Sequence, residues 1–442
     1  MQRILDDYGM IFVLLALCVL FSLLTLSEQV PSRRAAEQLV DAVREQCQAD
    51  DMVIVAGAGK RESGAIAQEV GGALRRAGYE RVRVVVGTPR DLRQALDEIS
   101  AANERVAAIA TAGDVAQWRV VEQIPKDYPQ SAGFRLLTVT PILWPDFLKR
   151  SNLLAIVDRI VVIAVIAIGM TMVIVTAGID LSVGSLIAFS AVIATVVMKR
   201  LGGLDAPAWV VLAGFLSGIL ACGLVGAVGG TVVAWFRVAP FITTLSVMMM
   251  ARGMAFLITG GFSIYQVPAA LPWLGQGRTL GMPNTVILLG VLYLTAHIFM
   301  SHTRMGRYIY AVGGNEEAAR LSGVPVRRVT VFVYVISALA AGLGGCIQAS
   351  QLNAGTPNLG VMDELYVIAA VVVGGTSLSG GTGRVLGTLI GAFIIAVIQN
   401  GMNLLGMESY TQQVVLGAVI LAAVLLDKVR SGKSLSFLLS RA

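Results

Sequence analysis

Apolar runs recur along this chain, most of them near the roughly 20 residues that cross a bilayer as a helix. They fall at residues 8–27, 160–176, 183–198, 208–235, 241–259, 285–300, 329–349, 366–376, 385–404 and 411–426. The run at 366–376 is too short to cross alone and must borrow flanking residues or be broken. Hydrophobic residues make up 56% of the chain and charged residues only 14%. A soluble domain carries roughly 25% charged residues, so the composition agrees with a membrane protein. Gly is frequent, as close packing of membrane helices requires. The expected fold is an all-α polytopic membrane bundle of about ten transmembrane helices.

An even number of spans with a cytoplasmic N-terminus places Arg3, Arg237, residues 303–328, Arg384, Lys428, Arg430, Lys433 and Arg441 inside. Lys149, Arg150, Arg159, Lys199, Arg200 and Arg278 fall outside. The inner set is larger, as the positive-inside rule demands. The net charge of +6 comes from this membrane part, because residues 28–150 are balanced in sign. The charge is therefore an orientation signal and gives no reason to expect a nucleic-acid partner. Residues 1–28 read as a first span and uncleaved anchor, since no small-residue cleavage site follows. Residues 142–427 read as the membrane core and 428–442 as a cytoplasmic tail.

Residues 29–141 are different in kind. Strand-like runs at 52–56, 81–86, 106–111 and 135–139 alternate with helix-like runs at 32–46, 63–77, 90–100 and 115–123. That alternation predicts an inserted α/β domain with a small parallel sheet. The topology makes residues 29–150 extracytoplasmic. Gly57-Ala58-Gly59-Lys60 looks like part of a phosphate loop. Ile54 stands where the first Gly is needed, however, and Arg61 follows the Lys, so a turn opening a helix near Ser63 is the better reading.

No catalytic constellation or metal-ligand spacing stands out. The four cysteines are scattered and the two histidines share one helix end. Two polar breaks interrupt the apolar pattern. One contains Asp180 and Ser182, the other Thr376, Ser377 and the tetrapeptide Leu378-Ser379-Gly380-Gly381. That tetrapeptide imitates an ATPase signature, but no Walker A accompanies it, and a Gly/Ser hinge between segments explains it. Asp180 is either a helix cap or a pathway residue. Arg252 lies within a span and needs a carbonyl clamp, an ion partner or a place on the pathway. Asn400 is a further candidate pathway residue. Paired breaks in two halves of a bundle can mark a substrate path. Asn353, Asn358, Asp363 and Glu364 form a polar cluster expected outside. Between two apolar runs, residues 303–326 form a charged cytoplasmic loop suited to touching a partner.

Four stretches carry a family resemblance: GMTMVIVTAGIDLSVGSLIAFS (169–190), VAPFITTLSVMMMARGMAFLITGG (238–261), GRYIYAVGGNEEAARLSGVPV (306–326) and ELYVIAAVVVGGTSLSGGTGRVLGTLIGAFIIAVIQNGMNLLG (364–406). The chain resembles the permeases of monosaccharide ABC importers of the ribose, xylose, galactose and arabinose group. The resemblance implies a plasma-membrane permease working by alternating access. Its implied partners are a second permease copy, a cytoplasmic ABC ATPase, a periplasmic sugar-binding protein and membrane lipid. No cofactor is expected on this chain, since ATP and magnesium would sit on the ATPase. Gly314, Asn315, Glu316, Glu317, Ala318, Ala319, Arg320 and Gly323 would form the coupling helix that enters an ATPase groove. Branched-chain amino acid permeases are the nearest alternative, and a membrane sensor is a third reading. The segment 29–141 departs from the family pattern.

Overall fold

The computed structural model describes residues 2–29, 32–59, 62–139 and 142–430. Lys60, Arg61 and the tail 431–442 lie outside the described residues. The chain divides into two units: Leu26–Asp146, and a helical unit built from the residues up to Thr25 and from Phe147 onward.

The first helix, α1 (Gln2–Leu24), belongs to the helical unit. The other unit begins and ends in a two-stranded antiparallel ribbon of β1 (Leu26–Gln29) and β6 (Ile142–Pro145). Between them lie α2 (Ser32–Gln46), β2 (Met52–Ala58), α3 (Glu62–Arg76), β3 (Val82–Gly87), α4 (Pro89–Ala101), β4 (Val106–Thr111), α5 (Gly113–Ala116), α6 (Arg119–Asp127) and β5 (Arg135–Thr138). Strands β3-β2-β4-β5 form a parallel sheet in that order. One layer of its core gathers Leu39, Val43, Val55, Val70 and Leu74, and the other gathers Ile54, Leu92, Ile109 and Ile124. Residues at successive strand positions thus feed opposite faces, as the strand period of two requires. Ser63 takes the N–H of Ala58 at 3.1 Å and donates to Asp114 at 2.7 Å, so the turn after β2 closes on the start of α3.

Among the described residues of the helical unit, seven helices are long and apolar enough to cross a membrane. They are α7 (Arg150–Val175), α8 (Val183–Arg200), α9 (Ala208–Phe236), α10 (Pro240–Thr259), α12 (Asn284–His302), α15 (Val326–Leu352) and α17 (Val385–Leu404), with the short α11 (Pro272–Gly275) before α12. Residues 303–325 form two short helices: α13 (Arg304–Gly314), where the sequence suggested a loop, and α14 (Glu316–Leu321), within the stretch 314–323 where the resemblance implied a helix. Helix α16 (Asp363–Val373) has 11 residues and α18 covers Ser409–Arg430. The apolar stretches Gly9–Leu24 of α1 and Ser409–Leu425 of α18 are shorter than the seven. The short run expected at 366–376 therefore starts earlier and ends at Val373, and residues 353–362 before it form no helix.

Helices α7, α8 and α17 are mostly buried, whereas α9, α10 and α12 each leave an exposed face. On α9 that face is a row of Leu212, Leu216, Leu220, Leu224 and Val228, one residue per turn, as lipid contact requires. Close packing rests on glycine where backbones meet. A methyl group on Gly218 of α9 would strike Ser190 of α8, and one on Gly169 of α7 would strike the backbone of Ser337 of α15. At the boundary of the helical unit, the Phe147 N–H donates to Thr25 Oγ1 at 3.1 Å, and the rings of Phe21 and Phe147 stack at 6.2 Å.

Candidate functional site

The two polar breaks, far apart in sequence, meet at one point. Helix α7 ends at Val175, and the carbonyl of Val175 accepts the N–H of Gly381 at 2.8 Å. Gly313, near the end of α13, lies against the same carbonyl, and a methyl group there would overlap it. Gly380 and Gly381 hold φ of +82° and +75°, and Gly380 lies against Ala177 and the carbonyl of Gly313. Only glycine combines this left-handed backbone with such close approach. Tyr310 of α13 donates to the carbonyl of Gly383 at 2.8 Å, tying α13 to the second break again. Thr376 is buried and packs against Gly383, and Ser377 opens the turn that Gly380 closes with a 3.1 Å backbone bond.

Helix α14 projects from this junction. Asn315 caps its start by accepting the N–H of Ala318 at 2.9 Å. Its end is a Schellman motif: Val324 N–H to the Ala319 carbonyl and Gly323 N–H to the Arg320 carbonyl, both 3.0 Å, with Gly323 at φ +82°. Ala319 is buried, while Glu316, Glu317, Ala318 and Arg320 are exposed. Glu317 is bonded to Arg320 of its own helix, and this contact holds its carboxyl below the ordinary range. Leu321, missed in the sequence reading, is 79% exposed and gives this small polar helix an apolar tip. Beside the root of α14, Arg327 lies 6.0 Å over the Trp235 ring.

Asp180 is 2% exposed. Its carboxylate accepts from the N–H and Oγ of Ser182, at 3.0 and 2.6 Å, and from Ser337 Oγ of α15 at 2.8 Å. The bonds to Ser182 make a local turn before α8, and the Ser337 bond ties the break to α15. Sequence gave no reason to pick Ser337, a lone hydroxyl in an apolar run. Arg252 of α10 donates from Nη1 to the carbonyls of Pro357 (3.0 Å) and Leu359 (2.5 Å). It is thus a carbonyl clamp on the non-helical stretch before α16. Asn400 stands apart from both breaks and exchanges carboxamide bonds with Asn152 of α7 at 2.8 and 2.9 Å. Among the described residues no group of three or more His, Cys, Asp or Glu side chains is placed to hold a metal.

A bundle of apolar helices, broken at two glycine-rich turns that share one junction with a small projecting helix, defines a polytopic membrane permease. A family model described as "Branched-chain amino acid transport system / permease component" matches residues 152–424, and the chain belongs to this family. The chain is 45% identical over 296 residues to the ribose import permease protein RbsC of Escherichia coli K12, covering 66% of this chain and 90% of that protein. RbsC of Bacillus subtilis strain 168 is 40% identical over 300 residues, covering 67% and 91%. The D-allose transport system permease protein AlsC of Escherichia coli K12 is 36% identical over 285 residues, covering 64% and 86%. No solved structure matches the chain.

Proposed function

We propose that this chain is the membrane subunit of an ATP-driven importer that moves a monosaccharide into the cell by alternating access. The observation that carries this reading is its 45% identity to a ribose import permease, over most of that protein's length. The family description names branched-chain amino acids, but relatives at 36–45% identity are named for ribose and allose. In this reading ten segments cross the inner membrane, with both termini cytoplasmic and residues 29–150 outside. Two copies of the chain pair with two cytoplasmic ATPases, and a periplasmic sugar-binding protein delivers the substrate.

Helix α14 is the ATPase contact. Its exposed Glu316, Glu317, Arg320 and Leu321 face a partner groove, while buried Ala319 anchors it to the bundle. ATP binding draws the ATPases together and moves α14. The motion passes to α13 and, through Gly313, to the junction of the two breaks. The α/β unit docks the binding protein, and deleting residues 29–141 then weakens uptake without preventing membrane insertion.

The test is uptake by proteoliposomes holding the complete importer, offered ribose, allose, arabinose and leucine. ATP-dependent accumulation of a sugar and not of leucine supports the reading; the reverse overturns it. In the same vesicles Glu317→Arg leaves the chain folded but separates ATP hydrolysis from uptake. Wild-type uptake by that variant would remove α14 from the coupling role.

A further inference from the structure

A second feature lies away from the junction. A cleft of ≈ 460 Å³ opens among α8, α10 and the start of α16, lined by Ser185, Met248, Met249, Arg252, Met362 and Glu364. Its volume falls within the roughly 300–1,000 Å³ of small-molecule sites.

The backbone around it is specialised. Residues 353–362 leave the helical pattern between α15 and α16, with φ of +66° at Gly360 and +70° at Met362. Gly360 packs directly on the backbone of Gly184, in the first turn of α8, and Arg252 holds the carbonyls of Pro357 and Leu359. Two helices thus begin beside the cleft, α8 at Val183 and α16 at Asp363. Each brings N–H groups with no partner inside its own helix. Ser185 stands in the first turn of one and Glu364 in the first turn of the other.

The lining has two characters. Arg252 spends only Nη1 on carbonyls among the described residues, and a guanidinium has five N–H donors. Arg252 and Glu364 attract each other without a direct ion pair among the described residues, which leaves a donor and an acceptor bordering the same space. A sugar hydroxyl is both donor and acceptor and can bridge such a pair. Met248, Met249 and Met362 supply an adaptable apolar wall for the C–H face of a ring.

We propose that this cleft is the sugar-contacting subsite of the permease. Arg252 donates to ring hydroxyls, Glu364 and Ser185 accept from them, and the methionines cover the apolar face. The proposal rests on the monosaccharide reading above. Arg252 therefore has two tasks, shaping the non-helical stretch with Nη1 and meeting the substrate with its remaining donors.

The experiment uses the complete importer in proteoliposomes, with ribose as the probe, and establishes wild-type uptake first. Glu364→Gln keeps the shape of the side chain but weakens its accepting power. It raises KM for ribose by about tenfold, as loss of one charged hydrogen bond implies, and changes the ratio of ribose to arabinose uptake. In a separate variant, Met248→Cys is labelled by a water-soluble thiol reagent, and saturating ribose slows that labelling relative to the unsubstituted background. An unchanged KM and sugar ratio, together with labelling indifferent to ribose, would overturn the subsite while wild-type sugar uptake stands. A wild-type importer that accumulates leucine and no sugar overturns the monosaccharide reading itself, before any variant is measured.

Discussion

Ser337 of α15 donates to Asp180 Oδ2 at 2.8 Å, so a hydroxyl inside one helix holds the carboxylate of the turn between α7 and α8. Asp180 has two further donors from Ser182, and all three bonds are removed from water. A buried donor left without its acceptor costs about 1–3 kcal/mol. Asp180→Ala leaves three donors unpaired and lowers the thermal midpoint of the purified permease far more than Ser337→Ala, which removes one donor and leaves the Ser182 bonds. Equal midpoints for the two variants would show that the carboxylate is not the centre of this cluster.

The junction at Val175 makes a sharper prediction. Gly313→Val drives a side chain into the Val175 carbonyl, and overpacking of this kind costs about 1–3 kcal/mol. Uptake is lost in Gly313→Val while Gly314→Ala, where a methyl group meets nothing within 4 Å, retains it. Matched expression of the two proteins, followed by vesicle uptake, checks the contrast.

Asn152 and Asn400 bond each other reciprocally, and Asn152 also donates to the Phe147 carbonyl at 2.9 Å. Interhelical side-chain bonds in membranes are worth about 0.6 kcal/mol on average. A double-mutant cycle of Asn152→Ala and Asn400→Ala, read by denaturation in detergent, gives a coupling energy of that order. Additive losses would mean the pair is geometric only.

Tyr128 in the α/β unit titrates late. Burial and then its 2.5 Å bond to Asp97 push its hydroxyl up to about 12, from an ordinary value near 10. With the folded value raised, its contribution to stability is complete below about pH 10 and is lost as pH rises toward about 12. Tyrosinate absorbance of the full chain coincides with that of Tyr128→Phe near pH 10 and exceeds it only as pH rises toward about 12, and a difference already present near pH 10 would show that the hydroxyl is not held up.

Several of these features could be read from the residues alone, for physical reasons. Hydrocarbon demands length and apolarity, so helices such as α7, α9 and α15 announce themselves. Gly323 is legible as a helix stop because few residues tolerate φ +82°. The meeting of the two breaks was not legible. It is made by the Val175 carbonyl, the Gly381 N–H and the absent side chain of Gly313, and none of these has a sequence signature of contact. Residues 353–362 looked like an ordinary polar loop, because Asn353 and Asn358 suit solvent as well as a turn packed on α8. Leu26 and its neighbours looked like the end of a span, because an apolar residue fits a helix tail and a strand alike.

The contact of Thr25 with Phe147 makes the helical unit continuous across the insertion. The chain leaves the helical unit after Thr25 and returns at Phe147, and these two positions already touch. A gene encoding only the membrane part would need no long connection to close the gap left by residues 26–146. The segment thus enters and leaves at a single seam, and its presence alters neither the order nor the direction of any later helix.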